Sequence, residues 1–153
     1  MTTRTTHSST QTKARKRAVD ILFEADLRDT DVLATLAERS VDAEPPVRDF
    51  TAGLVQGVSA HQEVIDARIV LALADGWSLQ RLPRVDRTIM RIAVFEIDHT
   101  PVPDAVAVSE AVGLAGQLST DDSPKFVNGV LRTVVETKAP PEATTEPTTA
   151  EIA

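Results

Sequence analysis

Lys13, Arg15, Lys16 and Arg17 set four cations within five residues, and residues 1–17 contain no acid. Clustered Lys and Arg side chains hold anions, phosphate backbones above all. The cluster opens a segment in which Ala18, Ile21, Leu22 and Ala25 recur at i, i+3, i+4 and i+7, the apolar face of a helix. Positive charge in the first turns of a helix opposes its dipole. That local conflict points to an anionic partner, although a solvated arm has the same composition. Phe23 lies at the edge of the apolar stripe, where an aromatic either joins the core or offers a stacking face.

A second group lies late in the chain, in Ser119-Thr-Asp-Asp-Ser-Pro-Lys-Phe-Val-Asn-Gly-Val-Leu131. Ser123 before Pro124 is a helix-start signal: the hydroxyl suits a cap and the proline the first helical position. Asp121 and Asp122 sit where the helix dipole favours acids. Phe126, Val127, Val130, Leu131 and Val134 then form one apolar face. Gly129 costs about 1 kcal/mol against alanine inside a helix. A close approach to that backbone is therefore expected, by a neighbouring helix or a partner.

Other chemistry is poorly supplied. The three histidines, His7, His61 and His99, have no second metal ligand at i+3 or i+4. There is no cysteine, hence no disulfide, thiolate nucleophile or zinc–cysteine site. Neither a Gly-x-Gly-x-x-Gly nor a nucleophile elbow occurs. The residues point to a binding protein that is not an enzyme and needs no cofactor or metal.

The 153 residues suffice for one domain with a real core. No apolar run reaches the roughly 20 residues of a membrane span, and no signal-peptide segment is visible, so a cytoplasmic protein is expected. The net charge of −7 sits beneath a basic head of five Lys and Arg and behind a terminal stretch with three glutamates. The expected organisation is a disordered polar and basic arm at 1–12, a helical domain at 13–138 and a disordered acidic tail at 139–153. Inside the domain the periodicity gives seven short helices and no strand. They start near Lys13, Asp31, Val47 and Ser59, then near Val85, beyond Pro103 and at Ser123. The fourth start rests on a capping box, Ser59-Ala-His-Gln62. Gly53 and Gly57 would let another helix come close, and Trp77-Ser-Leu79 with Leu82-Pro83 forms a hydrophobic elbow. Arg84, Arg87 and Arg91 are expected on a solvated helix face.

Asp86-Arg-Thr-Ile-Met-Arg-Ile-Ala-Val-Phe-Glu-Ile97, Val102-Pro, Val108-Ser-Glu-Ala-Val112 and the Asp121–Leu131 string resemble the NusB family of transcription antitermination factors in order and spacing. The resemblance implies an all-α fold of seven helices in two small bundles packed together. It implies binding of boxA RNA together with ribosomal protein NusE, and indirect association with other Nus factors and RNA polymerase. The RNA-binding positions it implies are Lys13, Arg15, Lys16 and Arg17 for phosphates and Phe23 for a base. Asp122, Lys125 and Phe126 follow in the later loop, where Phe126 equally fits the core stripe. Asp86 falls on a candidate NusE contact that would also cap its own helix. Some relatives are homodimers that cover the RNA surface; the sequence leaves this open. Two alternatives remain at this point: the NusB-like domain of a ribosomal RNA methyltransferase, and a helical protein-interaction module without specific RNA recognition.

Overall fold

The structure is a computed structural model that describes residues 4–139, with side chains from residue 10 onward. The remainder of the acidic tail lies outside the described residues. Six α-helices follow one another: α1 Arg4–Arg28, α2 Val32–Ser40, α3 Asp49–Ala72, α4 Arg84–His99, α5 Asp104–Leu118 and α6 Ser123–Glu136. A 3-10 turn at Leu79–Arg81 joins α3 to α4. No strand occurs among the described residues. Helix α1 begins ahead of Lys13 and takes in residues 4–12, a stretch with no Pro or Gly to stop it.

The count of six against the expected seven has a local cause. The helices expected to part at the Ser59 capping box run on as one element. His61 alone leaves helical geometry, at φ −115° and ψ 17°. Leu54, Val58, Ile65 and Ile69 are all buried on one stripe that spans the kink. Ending the helix at Ser59 would break that stripe, so burial outweighs the capping signal and the chain bends instead.

Helices α1, α2 and α3 pack pairwise, as do α4, α5 and α6, and α4 also packs on α1 and α3. The two small bundles therefore share one core. Helix α4 is its hub, burying Ile89, Met90, Ile92, Ala93, Val94 and Ile97. Close approach is confirmed at Gly57, where a Cβ would fall inside the Phe95 ring of α4, but not at Gly53. It is also absent at Gly129: no atom lies within 4 Å of a Cβ built there, so helix packing does not explain that glycine.

Of the α4 arginines, Arg84 is exposed, but Arg87 and Arg91 are largely covered and do not form a solvated face. Arg91 forks onto Asp66 of α3 at 2.7 and 3.0 Å. Arg87 and Arg84 both reach Asp26 of α1, at 2.8 and 3.1 Å. A long guanidinium can lie across a helix groove and meet an acid on the next element, which periodicity along one helix does not reveal. Burial alone would raise the Asp26 pKa, yet the hydrogen bonds and charges of Arg87 and Arg84 outweigh it and hold the carboxyl below its ordinary value.

Candidate nucleic-acid interface

At 100° per residue, Lys13, Lys16, Arg17, Asp20 and Glu24 fall on one side of α1, and Ala14, Ala18, Ile21, Leu22 and Ala25 on the other. The second set is buried against α3 and α4. Thr51 of α3 fixes the approach by donating to the Ala14 carbonyl at 2.9 Å. Lys13 and Lys16 are consequently exposed. Lys16 reaches Asp20 at 3.4 Å, but both partners stand in water, so the pair is weak and leaves the ammonium available. Arg17 donates to the Pro45 carbonyl at 2.8 Å, a neutral acceptor that orients the guanidinium without cancelling its charge. Phe23 is half-buried and does not pack against the core cluster.

Arg15 is a correction. Its side chain is 2% exposed and forks onto Glu96 through Nε and Nη2 at 2.9 and 2.8 Å. Nη1 adds Glu110 of α5 at 2.9 Å, and the guanidinium lies 5.0 Å from the centre of the Phe50 ring. Burial pulls its pKa down, but the bonds and charges of Glu96 and Glu110 outweigh that and raise it above the ordinary arginine value. A guanidinium so committed does not hold a phosphate. The signal was present: Arg15, Ala18, Val19 and Leu22 stand at i, i+3, i+4 and i+7. Glu96, missed in the sequence, likewise sits seven residues after Ile89 and four after Ile92 on the buried face of α4.

Asp86 is the second correction. It is 2% exposed and caps nothing; α4 starts after Pro83 without a side-chain cap. Its Oδ2 accepts from Ser123 Oγ at 2.9 Å, and Oδ1 is buried with no protein partner. Ser123 Oγ donates to Asp86 and can accept from Thr120 at 2.9 Å, while Ser119 Oγ, also 2.9 Å away, is placed as a second acceptor for the same hydroxyl. Ser123 thus rivets the start of α6 to the start of α4 instead of capping its own helix. A buried carboxylate pulls the hydroxyl inward more strongly than a solvent-facing amide would. Asp86 is a positioning residue for the α6 loop and presents no surface to a protein partner.

That rivet decides where the second group of site residues lies. Asp26, one turn after Phe23, is tied to the start of α4, and Asp86 ties the start of α4 to that of α6. Asp122 and Lys125, both exposed, and Phe126, half-buried and packed against the core as the stripe reading expected, are thereby held at the same end of the molecule as the C-terminal part of α1. Lys13 lies about 15 Å back along α1 from Phe23 at 1.5 Å per residue. The arrangement is a strip, cationic at one end and aromatic at the other, which suits an elongated polyanion better than a compact ligand. Among the described residues no three His, Cys, Asp or Glu side chains are placed to hold a metal, and no helix is long and apolar enough to cross a membrane.

A family model described as the NusB family matches residues 12–136. A protein of Acidothermus cellulolyticus called transcription antitermination protein NusB is 51% identical over 138 residues, which cover 90% of this chain and 94% of that one. Among solved structures, T. maritima NusB superposes with a TM-score of 0.75 at 30% identity, over 84% of this chain and 92% of that one. A crystal structure of antitermination factors NusB and NusE in complex with dsRNA gives a TM-score of 0.73 at 26% identity, over 82% of this chain and 96% of that one.

Proposed function

Because this chain belongs to the NusB family, we propose that it is a transcription antitermination factor that binds boxA RNA together with NusE. In that role it helps assemble the Nus complex on RNA polymerase and supports ribosomal RNA transcription. It acts in the cytoplasm, by binding and without catalysis. The observation that carries the RNA part is the outer row of α1: Lys13, Lys16 and Arg17 keep their charge available, while Arg15 is spent inside. Phosphates lie along that row, bases lie on Phe23 and Phe126, and Lys125 takes a further phosphate. Asp122 borders the base-binding end. Residues 13–138 form the binding unit and the flanking segments are accessory to it.

The test is fluorescence anisotropy of a labelled boxA RNA against a scrambled control, with and without NusE, at two salt concentrations. Tighter binding to boxA, strengthened by NusE and weakened by salt, supports the reading. Equal weak binding to both RNAs, indifferent to NusE, would leave a helical protein-interaction module without specific RNA recognition.

A further inference from the structure

The elbow between α3 and α4 carries an aromatic that the RNA strip above does not use. Trp77 is the chain's single tryptophan and is 51% exposed. Its position is not loose. Gly76, at φ +90°, turns the chain just before it, and the Trp77 amide donates to the Ala74 carbonyl at 3.1 Å. After it, the 3-10 turn leads to the buried Leu82, which anchors the elbow in the core. The backbone that carries the indole is therefore fixed, and the residue stands half in solvent. Its ring centre lies 5.8 Å from that of Phe126, with the planes at 44°.

We propose that Trp77 is a base-stacking platform for single-stranded RNA, placed beside Phe126 so that neighbouring unpaired bases lie on the two rings. The inference rests on the RNA-binding reading of Phe126 given above and extends it to a residue that reading does not include. A base cannot slip between the rings, because that needs about 7 Å, two van der Waals layers. Bases must therefore lie on the outward faces, one to each ring. The exposed charged residues flanking the rings in sequence are Asp75, Arg81, Asp121, Asp122 and Lys125, a mixed set with little net attraction for phosphate. Stacking, which needs only a π-face, is what this end offers, whereas charge is what Lys13, Lys16 and Arg17 offer.

The chain has no tyrosine, so tryptophan fluorescence reports on Trp77 alone. The full chain is titrated with an unlabelled single-stranded boxA oligoribonucleotide while its emission is followed, and Trp77→Ala and Trp77→Phe are compared with wild type by anisotropy at two salt concentrations. Quenching is expected on binding. Trp77→Ala should weaken binding roughly 5- to 150-fold, the range for one stacked base. That factor should be the same at both salts, and Trp77→Phe should retain most of the affinity. Wild-type affinity in Trp77→Ala, with Lys13→Ala and Phe126→Ala both weakened, overturns the platform and leaves the RNA reading standing. Absence of RNA binding by the wild type overturns both. Absence of quenching, together with loss of NusE affinity in RNA-free Trp77→Ala, assigns the indole to a protein contact and also overturns it.

Discussion

Arg15 and Glu96 meet fork to fork, with Nε–Oε1 and Nη2–Oε2 at 2.9 and 2.8 Å and both side chains at or below 2% exposure. The pair joins α1 to the hub helix at the centre of the molecule. Removing one partner strands a buried charge, which costs about 3–5 kcal/mol. Arg15→Ala should lower the urea midpoint accordingly. The double replacement Arg15→Met with Glu96→Leu should recover much of the loss, since Glu110 is partly exposed and can be solvated. An Arg15→Ala chain as stable as wild type would contradict the geometry.

Lys13 and Arg17 should behave oppositely. Each contributes to RNA affinity through counterion release, so Lys13→Ala and Arg17→Ala should each reduce the slope of log affinity against log salt by about 1. Thermal stability should be nearly unchanged for Lys13→Ala, whose side chain is exposed. Salt slopes equal to wild type would remove these residues from the interface.

Two glycines on helices should respond with opposite signs. Gly57→Ala drives a methyl into the Phe95 ring and should destabilise by about 1–3 kcal/mol. Gly129→Ala meets no atom within 4 Å and should stabilise by about 1 kcal/mol. If Gly129→Ala stabilises the chain but weakens NusE or RNA binding, that glycine serves a partner's approach.

Stability should fall in two pH windows. His99 stacks on His61 with ring centres 4.1 Å apart; burial and the His61 charge depress its pKa below the usual histidine value, against the pull of Asp98. A depressed histidine favours the neutral form in the fold. The stability tied to it is full above about pH 6.5 and declines as pH falls below that. His99→Gln should flatten this limb of the melting-temperature profile. Asp26, also depressed, stabilises above the unfolded carboxylate range near pH 4 and loses that contribution as pH falls through its folded value. Asp26→Asn should abolish that acid limb while lowering stability at neutral pH.

The sequence by itself determined the helical class and most helix positions, because each is written in local spacing. Apolar residues at i, i+3, i+4 and i+7 set a buried face wherever they occur. Asp86, Ser123 and the Lys125-Phe126 pair were visible as motif positions. The tertiary structure decided what those residues face. Arg15 looked like one of four equivalent cations until α4 and α5 brought Glu96 and Glu110 to it across 81 and 95 residues of chain. Asp86 looked like a surface acid until Ser123, 37 residues on, was found bonded to it. Trp77 and Phe126 became neighbours only when the α3–α4 elbow folded against the start of α6. Spacing along a helix reports which side a residue takes, whereas the charge or ring waiting there comes from another helix, and only packing brings the two together.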